Sequence, residues 1–128
     1  MYEIYEANFD GSSRGNPGPS KIGWTISKDN KVLWSECLEI DDGTNNVSEY
    51  QALIHLLKSI INKKIDNIIV RGDSKLVINQ VNGLWKIKKT HLKILADQAK
   101  YYLEKIPNCK LEWVPRDKNE SANKLAQS

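Results

Sequence analysis

The sequence predicts a single α/β domain built on a mixed sheet. Three observations predict it. Strand-like segments follow one another through the first third of the chain, helical and strand-like patterns alternate after it, and 128 residues suffice for one hydrophobic core but not for two. Hydrophobic residues make up 40% of the chain and charged residues 27%, an ordinary globular balance. No apolar run approaches the ~20 residues a membrane span needs, so no membrane partner is expected.

The first strand is expected over residues 2–10, where Tyr2, Ile4, Tyr5 and Phe9 lead to Asp10. Gly11 to Ser20 is then a loop dense in turn residues, Gly15-Asn16-Pro17-Gly18-Pro19. It fits neither the dinucleotide fingerprint nor the Walker pattern, and no helical run follows it, which excludes a nucleotide-binding loop. Ile22, Trp24 and Ile26 share one face of a second strand, and Val32, Trp34 and Leu38 one face of a third, with Asp29-Asn30 as the hairpin turn between them.

Asp41 to Asn46 is a polar connector into a helix over 47–61. Glu49 precedes Leu53 by four residues, Leu56 by seven and Ile60 by eleven, so its carboxylate lies on the apolar stripe. A carboxylate buried there is costly unless paired, protonated or bound to a metal. Asn62-Lys63-Lys64 closes the helix with charge that suits its C-terminal dipole.

A fourth strand covers 67–71, and Ser74 caps a short helix from Lys75. Asp73 therefore sits at the C-terminal end of a buried strand beside a helix N-terminus, where α/β sheets place ligand chemistry. Asn82-Gly83 is a turn and residues 85–89 a basic link with Trp85 as a core anchor. Thr90 caps a second long helix with Leu92, Leu95, Ala96, Ala99, Tyr102, Leu103 and Ile106 at helical spacing, ended by Pro107. A last strand over 111–114, a loop over 115–119 and a helix over 120–126 complete the chain. Helical crossovers make the last two strands parallel to the first, so that Asp10 and Asp73 emerge at one edge with Glu49 facing them.

Cys37 and Cys109 stand alone, without the spacing of a zinc or redox motif, and are expected as reduced, partly buried thiols. Met1 to Ile4 shows no signal-peptide pattern, so a cytoplasmic location is expected, and the sequons at Asn46 and Asn119 are then idle. A formal charge of +3 permits a polyanionic partner without requiring one. His55 and His91 fall on or beside scaffold helices and read as structural or solvated.

Four blocks in order now carry a resemblance: Phe9-Asp10-Gly11-Ser12 with Gly15-Asn16-Pro17-Gly18, Thr44-Asn45-Asn46 with Glu49-Tyr50-Gln51-Ala52-Leu53, Gly72-Asp73-Ser74, and Val114-Pro115-Arg116-Asp117 leading to Ala122-Asn123-Lys124-Leu125-Ala126. Together they resemble ribonuclease H of type 1 over nearly the whole chain. The resemblance implies one domain over 1–128, a five-stranded sheet ordered 3-2-1-4-5 with flanking helices, and cleavage of the RNA strand of RNA/DNA hybrids with two Mg²⁺ or Mn²⁺ ions. It implies metal ligation and catalysis by Asp10, Glu49, Asp73 and position 123, with Asp10 bridging both ions and Glu49 contacting a ribose 2′-hydroxyl. It further implies hybrid contacts from Ser12, Asn16, Thr44 and Asn45.

Two departures stand out. The family usually has Asp where this chain has Asn123, an amide that can ligate a metal but brings no charge and takes no proton. The family's loop histidine is also missing from residues 115–119, which leaves Arg116 and Lys118 to meet the leaving phosphate without shuttling a proton. Lys86 and Lys88, with Lys89, lie where many relatives carry a longer basic protrusion, and are expected to make salt-sensitive phosphate contacts. A monomer is expected.

Overall fold

A computed structural model describes residues 3–127, without the side chains of residues 123 and 127. It contains β1 (Tyr5–Ser13), β2 (Gly18–Lys28), β3 (Lys31–Gly43), α1 (Asn45–Asn62), β4 (Asn67–Gly72), α2 (Lys75–Val81), α3 (Thr90–Glu104), β5 (Asn108–Trp113), a 3₁₀ turn (Arg116–Lys118) and α4 (Glu120–Gln127). The sheet order is β3-β2-β1-β4-β5. The first three strands are antiparallel, and β4 and β5 run parallel to β1, as expected.

The hairpin between β2 and β3 turns on Asp29 and Asn30, both left-handed at φ 53° and 62°. That is the geometry a two-residue turn needs to match strand twist. β1 runs on to Ser13 rather than ending at Asp10, because Gly11, Ser12 and Ser13 still pair with Ile22, Lys21 and Ser20. The loop thus shrinks to residues 14–17, and Asp10 lies inside a paired strand.

On β3 the expected shared face of Val32, Trp34 and Leu38 breaks. Trp34 pairs with Ile26 and Leu38 with Ile22, but a bulge puts Val32 opposite Ser27, on the other face of the sheet. Lys89, not Thr90, is the cap residue of α3, and it makes no side-chain cap bond. Trp85 is 48% exposed rather than a core anchor. Cys37 is exposed and Cys109 half-buried, and neither is in a disulfide among the described residues. Among the described residues no helix is long and apolar enough to cross a membrane.

Helix α1 is buried on more than one side, with Tyr50, Ala52, Leu53, Leu56, Leu57 and Ile60 all fully covered. It lies between the sheet and α3. Helix α4 packs on β1 and β2. Two glycines let these helices reach the sheet. A Cβ on Gly11 would stand 2.2 Å from the Ser48 carbonyl carbon at the start of α1, and one on Gly23 would stand 2.6 Å from Leu125 Cβ on α4. Gly11 and Gly23 point to opposite faces, since Gly23 pairs with Asp10. The two helices therefore close on Asp10 from both sides of the sheet.

Gly11→Ala puts a methyl group into backbone that cannot yield. Urea unfolding is expected to show destabilisation of at least about 1–3 kcal/mol, the scale of overpacking. An unchanged midpoint would mean that α1 stands further from β1 than described.

Candidate active site

Parallel pairing of β1 with β4 brings Phe9 opposite Gly72, so the next residues, Asp10 and Asp73, leave neighbouring strands side by side. The Ser74 hydroxyl caps α2 by accepting from the Val77 amide at 3.2 Å, which fixes the turn that carries Asp73. Glu49 comes from the first turns of α1, and the Gly11 amide donates to its carboxylate. One ligand oxygen from each of Asp10, Glu49 and Asp73 lies within 4.8 Å of the others. These are the three acids the sequence singled out.

Packing three carboxylates together out of water penalises their charge. Burial raises the pKa of Glu49 well above the usual carboxylate range, and its hydrogen bond to Asp10 and the charge of Asp10 raise it further. Asp10 is also raised, first by burial and then by the charge of Asp73, while the hydrogen bond from Glu49 and the charge of Arg116 pull it back. Both shifts favour the protonated form, and Glu49 is pushed further up than Asp10. Asp10 Oδ2 and Asp73 Oδ2 are buried with no hydrogen-bond partner. Buried acceptors left over in this way, in an all-oxygen donor set, fit a hard divalent cation rather than a soft one.

Beside the acids, Thr44 caps α1 by accepting from the Val47 amide at 3.2 Å. The Ser13 amide donates to Asn45 Oδ1 and the Asn45 amide to Asn16 Oδ1, each at 3.0 Å. Asn16, Thr44 and Asn45 are thereby gathered at one end of α1, next to Glu49. The Ser12 hydroxyl is instead engaged with α4, donating to the Ala126 carbonyl at 2.7 Å. Lys86 and Lys88 are exposed on the segment after α2, and Arg116 and Lys118 are exposed on the 3₁₀ turn. Position 123 lies on α4, but the Asn123 side chain is outside the described residues. His55 bonds the Gln51 carbonyl at 2.8 Å within α1, as a scaffold residue does.

Sequence reading missed the groups that hold this edge in place. Asn119 is fully buried; its Nδ2 donates to the Phe9 carbonyl and its Oδ1 accepts from Asn8 Nδ2, both at 2.8 Å. It bonds β1 just before Asp10 and leads directly into α4. Trp113 Nε1 donates to the Asp73 carbonyl at 3.1 Å, and Lys75 Nζ lies 4.6 Å from the centre of the Trp113 ring. A buried asparagine leaves no periodic signal, whereas an aromatic at a strand end beside Asp73 was a legible one.

Residues 8–128 match the family described as reverse transcriptase-like. The ribonuclease H1 structure from Halobacterium salinarum superposes with a TM-score of 0.93 at 36% identity, covering 97% of this chain and 95% of that one. The chain belongs to the type 1 ribonuclease H family. Another ribonuclease H1, solved as LC11-RNase H1 in complex with an RNA/DNA hybrid, superposes at TM-score 0.88 and 33% identity, covering 96% of this chain and 94% of that one. In sequence, the ribonuclease HI of H. salinarum is 39% identical over 94% of this chain, and a bifunctional protein of Mycobacterium tuberculosis is 40% identical over 98%. The matches span 61% and 35% of those two relatives. This ribonuclease H domain therefore corresponds to part of their length.

The raised carboxyl of Glu49 dictates how the metal-free domain responds to pH. Between its ordinary value of 4.5 and its higher folded value, the folded protein holds a proton that the unfolded chain has lost. The stability this proton brings is complete below 4.5 and is lost as pH rises through the folded value. Thermal unfolding in chelator is expected to give a higher midpoint near pH 5 than at pH 8. Glu49→Gln is expected to flatten that profile and raise the pH 8 midpoint by about 4 °C or more, the equivalent of 1 kcal/mol at this size. A flat profile in the unmutated protein would show that Glu49 is not buried as described.

Proposed function

We propose that this domain is a divalent-metal-dependent endoribonuclease that cuts the RNA strand of RNA/DNA hybrids, leaving 5′-phosphate ends. The observation that carries the proposal is the cluster of Asp10, Glu49 and Asp73, with two buried carboxylate oxygens that no protein group satisfies. The hybrid bound by a ribonuclease H1 of the same fold supports the substrate class.

Asp10, Glu49 and Asp73, with the Asn123 amide, would hold two Mg²⁺ or Mn²⁺ ions. When bound, such ions make water a stronger nucleophile and neutralise the phosphate and leaving oxygen. Glu49, whose carboxylate accepts from the Gly11 amide, would ligate in its ionised form, so cation affinity is expected to rise with pH. Asn16, Thr44 and Asn45 line the approach to Glu49, where polar side chains read 2′-hydroxyls and sugar edges in a minor groove without reading sequence. The Ser12 hydroxyl is tied to α4, so the contribution of Ser12 to the groove falls to its backbone. Lys86 and Lys88 meet phosphates further along the duplex, and Arg116 and Lys118 attract the departing phosphate.

Asn123 supplies oxygen without charge, which weakens the second cation position rather than closing it. A hybrid-binding form with impaired turnover is therefore the alternative.

An end-labelled RNA/DNA hybrid incubated with Mg²⁺ or Mn²⁺ decides between them. The domain should cut it, and Asp10→Asn should lower the rate by about 10³-fold, on the scale of losing a group that acts in the transition state. Asn123→Asp should lower the cation concentration for half-maximal cleavage by about tenfold, the usual size of changes around a metal site. Hybrid binding without cleavage, restored only by Asn123→Asp, would establish the binding-only form. Cleavage that survives Asp10→Asn would refute the assignment of the site.

A further inference from the structure

Helix α2 ends at Val81, and Gly83, at φ 79°, turns the chain out of it. The amides of Leu84 and Trp85 donate back to the Asn79 carbonyl at 2.8 and 3.2 Å. From there the chain has no regular structure until α3. Within residues 84–89 only Ile87 turns inward, where it packs on the core; Leu84, Trp85, Lys86, Lys88 and Lys89 are exposed. The segment is a strap with one apolar foothold and an outward row of lysines.

A second foothold comes from inside. Gln80, 5% exposed on α2, accepts the Tyr50 hydroxyl at Oε1 at 2.6 Å, and its Nε2 donates to the Lys86 carbonyl at 3.4 Å. Tyr50 is fully buried on α1, one residue after Glu49. A buried amide is tolerated only when both ends are bonded. An apolar residue here would leave the buried Tyr50 hydroxyl without an acceptor; beyond that pairing, glutamine ties the helix that carries Glu49 to the backbone of the lysine segment.

We infer that Gln80 is a positioning residue for substrate: gripped by Tyr50, it holds the strap so that Lys86 and Lys88 are ordered before nucleic acid arrives. The inference rests on the hybrid-cleaving function proposed above. An ordered strap reaches its phosphates without the ordering cost that a loose one incurs on binding. Gln80 thus acts on affinity and leaves the chemical step alone.

The test compares the unmutated domain with Gln80→Leu and with Lys86→Ala/Lys88→Ala, alone and combined, in two assays. Trypsin cleavage after Lys86, Lys88 and Lys89 in the free protein, measured well below the unfolding midpoint, is expected to speed up at least fivefold in Gln80→Leu, whose midpoint falls because the buried Tyr50 hydroxyl loses its acceptor; Tyr50→Phe/Gln80→Leu, which removes both partners, is expected to keep the faster cleavage with most of the midpoint recovered. With hybrid substrate, Gln80→Leu is expected to raise KM about fivefold with kcat within twofold. It should leave the slope of log affinity against log salt unaltered, because the lysines remain, and should have no further effect once both lysines are gone. The lysine pair, by contrast, should reduce that slope by nearly one for each phosphate that is no longer neutralised. Unchanged trypsin cleavage would overturn the tie by itself. A fall in kcat at constant KM, or full additivity with the lysine pair, would show that Gln80 acts elsewhere. An unmutated domain that neither binds nor cuts the hybrid would refute the proposed function and the nucleic-acid half of this inference, while the trypsin assay still tests the tie.

Discussion

Three carboxylates forced together at one sheet edge are the constraint on which the rest of this structure depends. Left to themselves, Asp10, Glu49 and Asp73 would separate into water, because burial and mutual repulsion both oppose their charge. Covalent geometry and packing prevent it. Asp10 cannot leave, since its strand is paired on both sides up to Phe9. Glu49 cannot leave, since α1 is sealed against the core from Tyr50 to Ile60 and its first turn rests on Gly11. Asp73 has the most freedom, and its turn is held by the Ser74 cap on one side and the Trp113 indole on the other. Stability drawn from the core thus maintains a locally unfavourable charge arrangement, the usual sign of a functional site.

How far this was legible depended on the reach of the signal. Glu49 was found because helical periodicity is local: its spacing to Leu53, Leu56 and Ile60 placed an acid on an apolar face. Asp73 was found because a strand end, an acid and a capping serine adjoin in sequence. The parallel pairing that joins Asp10 to Asp73 followed from the order of elements. Asn119, by contrast, bonds Phe9 and Asn8 from more than a hundred residues away, and nothing local distinguishes a buried asparagine from a loop one. The same holds for Gln80 on Tyr50. Trp85 was misplaced because large aromatics are usually buried, whereas here Ile87 takes the inward position and its neighbours are left outside. The bulge on β3 has no composition signal at all, so Val32 kept a face in the alternating pattern that it loses in the sheet.

Asp10, Glu49 and Asp73 carry the acidic charge brought together at this edge. Burial and mutual repulsion oppose full ionisation of Asp10 and Glu49, and the Arg116 guanidinium offsets part of the charge on Asp10. A divalent cation held here would favour the ionised form of Glu49, so loading and loss of its proton would go together. The side chain whose raised pKa shapes the pH response of the domain would therefore also be the one whose ionisation accompanies loading. Its carboxylate is positioned by the Gly11 amide, where the backbone of β1 meets that of α1 at a glycine.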